Sequence, residues 1–365
     1  MSQIKNITSY ARMAIVIPAH NEEKILFNTL ESCKQLDYPR DRFEIVVVAD
    51  NCADNTAMIA NDNGVKCLER FDDNNKGKGY ALTYAFEHLL KKDFDVFVVL
   101  DADCTISRNS LKVINESLST DVKIFQINYK TANPDVNAVS YACAVGNYIE
   151  NNFFYKPKAN LNISVLLRGT GMAFKREILL KYPWDSFGIV EDVEYSLKLI
   201  EQNEKIKFID KAEVLSEFPT QMNQLSTQRK RWAGGNLNFG KKQALKFLFK
   251  GIKQKNLDIF DIGVTFIVLS KPLIISLSIM SLICSAFSYM IYNNSFSVLV
   301  FLVAGLNFML TFSYFIFGVF AFGISLRRFG LLIASPMVIL NLVYIGVKGL
   351  LEKTSQDWEK TPRND

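Results

Sequence analysis

Val96-Phe97-Val98-Val99-Leu100-Asp101-Ala102-Asp103 (VFVVLDAD) sets an uninterrupted apolar run directly against two carboxylates at i and i+2. A β-branched run that stops at acidic residues reads as a strand buried on both faces and ending in a loop. The same grammar recurs upstream. Ala14–Pro18 (AIVIP) stops at His20-Asn21-Glu22, and Phe43–Ala49 (FEIVVVA) stops at Asp50. Between these strands, Glu22–Leu36 carries Leu26, Leu30 and Cys33 at helical spacing, and Gly79–Leu90 reads as a second helix. Asp54 or Asn55 is placed to cap a short helix ending at Asn63, and Val65–Leu68 reads as a further strand. Strands alternating with amphipathic helices predict an α/β domain, Rossmann-like, with a mostly parallel sheet covered on both faces. Ligands in such sheets bind beyond the carboxyl ends of the strands, which brings the polar residues after each strand to one edge.

Beyond Leu118 the pattern loosens, with strands expected at Ile124–Tyr129, Met172–Phe174 and Ile206–Ile209 and a helix starting near Glu191. The last third changes character. The chain has 365 residues, 49% hydrophobic and 22% charged, yet Pro272–Leu326 contains no Asp, Glu, Lys, Arg or His. A spanning helix needs about 20 apolar residues, so this run has room for two. The predicted organisation is a front domain over 1–240, an amphipathic interfacial helix over 241–258, an α-helical membrane region over 259–350 and a tail over 351–365. Two spans are expected at 272–292 and 297–326. The stretch 329–347 is a third span or a re-entrant segment, because Pro336 and Asn341 lie inside it. Leu245, Leu248, Phe249 and Ile252 share a face of the interfacial helix opposite its lysines, the composition of a helix lying on an anionic leaflet.

Composition excludes a disordered, collagen-like or disulfide-dense chain. Cys33, Cys52, Cys67, Cys104, Cys143 and Cys284 form no CxxC pair and are expected to be reduced. A net charge of +5 without an aromatic-interleaved basic run gives no sign of nucleic-acid binding. The start, MSQIKNITSYARM, has no apolar core of a signal peptide, and lysines precede the first span. Both predict a multi-pass cell-membrane protein with its front domain cytoplasmic.

Several short motifs carry chemistry. Asp101 and Asp103 can turn together towards a hard cation such as Mg²⁺ or Mn²⁺, although acidic turns after strands are common without one. Lys76-Gly77-Lys78-Gly79 at a helix entry suits a phosphate or a solvated turn, and lacks the spacing of a P-loop. Glu191-Asp192-Val193-Glu194 opens a helix, where carboxylates either cap or react. Gln228-Arg229-Lys230-Arg231-Trp232 offers cations beside an indole, as a phosphate and sugar wall or as a membrane-surface cluster.

In order along the chain, VIPAHNEE (Val16–Glu23), Asp50, KGKGYAL (Lys76–Leu82), Asp101-Ala102-Asp103, RGTGMAFKRE (Arg168–Glu177), EDVE (Glu191–Glu194) and QRKRW (Gln228–Trp232) resemble membrane-bound glycosyltransferase family 2. That group includes cellulose, chitin and hyaluronan synthases. The resemblance covers about residues 13–235, and its QxxRW element is the most discriminating. It implies a GT-A fold and a UDP-sugar donor. Pro18, Asn21, Glu22 and Asp50 would hold the uridine, Lys78 would approach the diphosphate, and Asp101 and Asp103 would take Mg²⁺ or Mn²⁺. Asp192 would be the general base. Gly169, Thr170, Gly171, Glu191, Gln228, Arg231 and Trp232 would line the acceptor and leaving group, and Trp358, Thr361 and Arg363 in the tail would gate the site. Val190 stands where cellulose-type enzymes usually have Thr.

The implied activity is an inverting membrane glycosyltransferase building a polysaccharide through β-linkages, with export partner proteins completing translocation. Transfer of one sugar to a polyprenyl phosphate or other lipid-linked acceptor is the alternative enzyme reading, and an inactive membrane scaffold is the non-enzymatic one. Gating by the tail requires an even number of complete crossings, and therefore a re-entrant 329–347.

Overall fold

The β-branched runs become the centre of one eight-stranded sheet. A computed structural model describes residues 9–268 and 271–351, with side chains described outside 229–242, 268, 271–273 and 345–351. The strands are β1 (Met13–Ala19), β2 (Phe43–Asp50), β3 (Lys66–Arg70), β4 (Val96–Val99), β5 (Cys104–Ile106), β6 (Ile124–Thr131), β7 (Met172–Lys175) and β8 (Ile206–Ser216). Their order is β3-β2-β1-β4-β7-β6-β8-β5. β3, β2, β1 and β4 run parallel, β7 is antiparallel to both β4 and β6, and β6 is parallel to β8. The sheet is therefore mostly parallel and Rossmann-like, as the alternation of elements predicts.

Both faces of the central strands are buried, with Met13, Ile15, Ile17, Val47 and Val98 packed against Leu26, Leu30 and Cys33 of the helix Leu26–Lys34. Each fully buried aliphatic side chain contributes about 1.5–3 kcal/mol. Pro18 sits in β1 beyond the reach of β4, whose pairing ends at Val16, so its missing N–H breaks no ladder on that side. β1, β2 and β4 end at the same edge, and the antiparallel β7 begins there. Gly171 N–H donates to Val99 O at 2.8 Å, which ties the loop before β7 to the end of β4.

The described chain divides into two compact units, one holding residues up to 132 with 150–217, the other 133–149 with the chain from 218 onward. The first contains the whole sheet. In the second, Met222–Gln254 is one helix that ends where Lys255 adopts φ 52°. The expected interfacial segment is thus its carboxyl-terminal part. Leu245, Phe249 and Ile252 are exposed along it, while Ala244 and Phe247 are buried. Helices Lys271–Tyr292, Ser295–Phe322 and Leu326–Leu351 follow, the last continuous through Pro336. Within them Ile274–Tyr292, Ser295–Phe322 and Leu326–Tyr344 are each long and apolar enough to cross a membrane. Arg328 joins this unit together. Its guanidinium donates to both Asp135 oxygens at 2.7 and 3.0 Å and to the carbonyls of Phe322 and Gly323 at 2.9 and 3.1 Å, closing the end of the preceding helix.

Candidate active site

The edge of the first unit gathers the loops after β1, β2 and β4 with the loop before β7 and the start of helix Glu191–Glu201. Asparagines make the two tight turns at its outer end, Asn21 at φ 56° and Asn51 at φ 50°, a region that asparagine tolerates better than most residues. Asn21 Oδ1 accepts from Ala53 N–H at 2.8 Å, Glu22 N–H donates to Thr56 Oγ1 at 2.8 Å, and His20 Nδ1 lies 2.7 Å from Asp50 O. The helix Thr56–Asp62 starts without a cap from Asn55; Asp54 Oδ1 takes the Thr56 N–H instead, at 3.0 Å. Asp50 is buried at the end of β2, where Arg70 Nη1 donates to it at 2.6 Å and Arg70 Nη2 reaches Asp72 at 2.8 Å. Pro18, Asn21, Glu22 and Asp50 thus lie on β1, β2 and the loops that follow them, with the two loops bonded to each other.

Lys78 opens the helix Lys78–Leu89, and its ammonium donates to Asp101 and, at 2.8 Å, to the carbonyl of Gly169. Gly169 is the meeting point. A Cβ there would stand 3.3 Å from Lys78 Nζ and 3.6 Å from Asp192 Oδ2. Only glycine leaves that space open while holding φ +73°. Thr170 Oγ1 accepts from Asp101 N–H at 3.1 Å, which fixes the first carboxylate of the DxD to the same loop. The buried amide of Gln126 on β6 clamps the loop from behind, accepting from Arg168 N–H at 2.9 Å and donating to Thr170 O at 2.8 Å. Ser196 ties Asp192 to the segment before this loop: it accepts from Leu167 N–H at 2.9 Å and donates to Asp192 O at 2.6 Å.

The electrostatics follow from burial and from three carboxylates around one ammonium. Burial opposes the Lys78 charge, but Asp101, Glu191 and Asp192 more than offset it, and the ammonium is held above its ordinary range. Burial, then Asp192, pushes Glu191 up to about 8, while Lys78 opposes the shift. Burial likewise pushes Asp192 up to about 6. Burial thus favours the protonated form of Glu191 and makes Asp192 a better proton acceptor than an exposed aspartate.

Asp101, Asp103 and Cys104 offer ligand atoms that all lie within 4.8 Å of one another. Burial holds the Cys104 thiol well above its ordinary range, so it stays protonated and suits a hard cation poorly. The two carboxylates are the donors that fit Mg²⁺ or Mn²⁺.

Lys78, Asp101, Asp103, Gly169, Thr170, Gly171, Glu191 and Asp192 all belong to the first unit. Gln228 is a half-buried residue on the helix Met222–Gln254 of the second unit, and the side chains of Arg231 and Trp232 on that helix lie outside those described. Trp358, Thr361 and Arg363 lie outside the described residues. Sequence reasoning passed over Arg70 and Gln126 and gave Arg168, the first residue of the RGTG motif, no role of its own. A glutamine inside the apolar strand Ile124–Tyr129 was the available signal for one of them.

Residues 11–235 match the family model described as glycosyltransferase like family 2. The chain is 28% identical over 269 residues to the probable glycosyltransferase YdaM of Bacillus subtilis, covering 71% of this chain and 62% of that protein. It is 26% identical over 262 residues to the poly-beta-1,6-N-acetyl-D-glucosamine synthase of Staphylococcus epidermidis, covering 68% of this chain and 59% of that one. It is 27% identical over 233 residues to the beta-monoglucosyldiacylglycerol synthase of Synechocystis, covering 62% of this chain and 48% of that one. The chain thus spans less than two thirds of each relative's length. Among solved structures, the mannosyltransferase PcManGT of Pyrobaculum calidifontis, in complex with GDP-Man and Mn²⁺, superposes with a TM-score of 0.57 at 16% identity, covering 95% of this chain and 89% of that one. That likeness is one of fold, and it matches the Rossmann-like sheet described above. With the family match running through every element of this edge, the chain belongs to glycosyltransferase family 2, and the domain that carries the edge has the GT-A fold.

Proposed function

We propose that the chain transfers a sugar from a UDP-sugar to a growing polysaccharide at the cytoplasmic face of a cell membrane, inverting the anomeric centre to a β-linkage. One observation carries this reading: the Lys78 ammonium and the Asp192 carboxylate meet at Gly169, 3.3 and 3.6 Å from the position a Cβ on that glycine would take. A cation there suits the donor diphosphate, and a basic carboxylate beside it suits the acceptor hydroxyl. Asp192 takes the hydroxyl proton across about 2.6–3.2 Å as the acceptor oxygen bonds to the anomeric carbon. The bond from that carbon to the diphosphate oxygen breaks, and its electron pair leaves with UDP. Lys78 stabilises the departing charge from a partly dry site, where such preorganised charges are strongest.

Asp101 and Asp103 would hold Mg²⁺ or Mn²⁺, as the Mn²⁺ of the archaeal mannosyltransferase with this fold also suggests. Such an ion, when bound, neutralises charge on the diphosphate. Pro18, Asn21, Glu22 and Asp50 receive the uridine. Gly169, Thr170, Gly171 and Glu191 are assigned to the acceptor and leaving group, a role that the family motif also proposes for Gln228, Arg231 and Trp232.

The name of the staphylococcal relative supports a polymer product, and that of the cyanobacterial relative supports a lipid acceptor. Size analysis after incubation with labelled UDP-sugar separates the two. A ladder of lengths upholds the polymer, and a single organic-extractable product replaces it with the lipid reading. Exposed Leu245, Phe249 and Ile252 beside Lys246, Lys250 and Lys253 support seating the helix on an anionic leaflet. Three complete crossings would carry Trp358 to the far side and exclude tail gating. Labelling of a cysteine placed beside Trp358 from outside the cell removes the gating role; labelling only after permeabilisation retains it.

A further inference from the structure

Arg168 is enclosed in a way that no turn requires, with 15% of its side chain exposed. Its Nη1 donates to Asn151 Oδ1 at 2.6 Å, its Nη2 lies 3.6 Å from Glu150 Oε2, and its guanidinium sits 5.3 and 5.2 Å from the ring centroids of Tyr129 and Tyr155. Asn151 and Tyr155 bound a π-helical turn, Asn151–Tyr155, inserted between α-helical Ala138–Glu150 and Lys156–Asn160. Such insertions are rare and concentrate at functional sites. Burying a guanidinium costs several kcal/mol unless it is paired, hydrogen-bonded and stacked, and this one is all three. An apolar side chain would fill the same volume without that cost.

The backbone explains what the anchor holds. Arg168 N–H is fixed by Gln126, Arg168 O accepts from Thr170 N–H at 2.8 Å, and the next carbonyl, Gly169 O, takes the hydrogen bond from Lys78. We infer that Arg168 is a positioning residue: clamped by Glu150, Asn151, Tyr129 and Tyr155, it sets the Gly169 carbonyl that aims Lys78 at the donor diphosphate. This rests on the reading of Lys78 as the diphosphate cation. Lysine at 168 keeps the charge but not the planar fork, so it cannot hold Asn151, Glu150 and two ring faces together.

The test is equilibrium binding of UDP with Mn²⁺ to the full chain in detergent, for wild type, Arg168→Lys and Asn151→Ala, with unfolding midpoints and the donor KM and kcat recorded. Arg168→Lys weakens UDP about tenfold, the scale of one charge-assisted hydrogen bond, and raises donor KM. Asn151→Ala removes the acceptor of Arg168 Nη1, together with the Asn151 Nδ2 donation to Tyr129 O at 2.7 Å, and weakens UDP in the same direction. Wild-type UDP affinity in folded Arg168→Lys overturns the inference. So does wild-type affinity in folded Asn151→Ala, or weakening in either variant only in step with a fallen midpoint, which would reduce the cage to a structural support. Failure of wild type itself to bind UDP would instead overturn the reading of the site.

Discussion

Replacing Asp192 by Asn should stop sugar transfer while leaving UDP binding intact. The substitution keeps the shape of the side chain, and the amide oxygen can still accept the Val193 N–H that Asp192 Oδ1 now accepts at 2.8 Å, so the start of the helix is preserved. What is lost is the only feature asparagine cannot copy, a carboxylate pushed up to about 6 that can take a proton. Removing a general base lowers kcat by about 10²–10⁴, or roughly 3–5 kcal/mol in the barrier. UDP affinity should hold or rise, because one of the anionic groups around Lys78 disappears while the ammonium remains. Glu191 should also ionise more readily, since Asp192 is the second cause of its raised pKa. The assay pairs initial rates of transfer from labelled UDP-sugar with equilibrium UDP binding. Turnover like that of wild type would refute the assignment of the base. A matching loss of UDP binding would refute the separation of donor and acceptor roles.

Other consequences follow from the same geometry. The rate of transfer should fall as pH drops through about 6, because the Asp192 carboxyl is protonated below its raised pKa and cannot accept the acceptor proton; a profile of kcat/KM flat to pH 5 would contradict it. Gly79→Ala should lower the unfolding midpoint, since its Cβ would stand 2.2 Å from the Ser186 carbonyl oxygen and 3.1 Å from Phe187 Cα, both backbone atoms, a strain of about 1–3 kcal/mol or more. Gly171→Ala should do likewise, with φ +66° and a Cβ 2.8 Å from Ile127 Cγ1. Arg328→Ala should destabilise the full chain in detergent more than Asp135→Asn, by about 1–2 kcal/mol, because only the arginine also caps the Phe322 and Gly323 carbonyls; equal thermal shifts would count against that capping role.

The strands that carry the site were legible because their apolar runs need no partner to be recognised. Val96–Leu100 appears as β4 at Val96–Val99, and Phe43–Ala49 appears as β2 with one residue added, Asp50. β5 escaped because Cys104–Ile106 is too short for any periodicity and exists only by pairing antiparallel with β8. β8 runs to Ser216 rather than Ile209 because a register shift opposite Ile127 and Asn128 carries it past polar Asp210 and Lys211. The third strand is set at Lys66–Arg70, one residue later at its start than Val65, which puts Arg70 level with Asp50. In the site, the carboxylates and glycines announced themselves as motifs at strand ends. Arg70 and Gln126 did not, and Arg168 stood in the RGTG motif without a role, because Asp50, Thr170 and Asn151 come near them only in the folded chain. The helix Met222–Gln254 was seen only in its later part, since Gly234, Gly235 and Gly240 interrupt the helical pattern ahead of it.

The central claim is that this edge consumes a UDP-sugar. The most direct measurement is release of nucleoside diphosphate by the purified full chain across a panel of UDP-sugars and GDP-mannose, with Mn²⁺ or Mg²⁺ and then with chelator. The account predicts UDP release from at least one UDP-sugar, lost on chelation and lost in Asp192→Asn. Release of GDP alone, or of nothing from any donor in the presence of either metal, would contradict it.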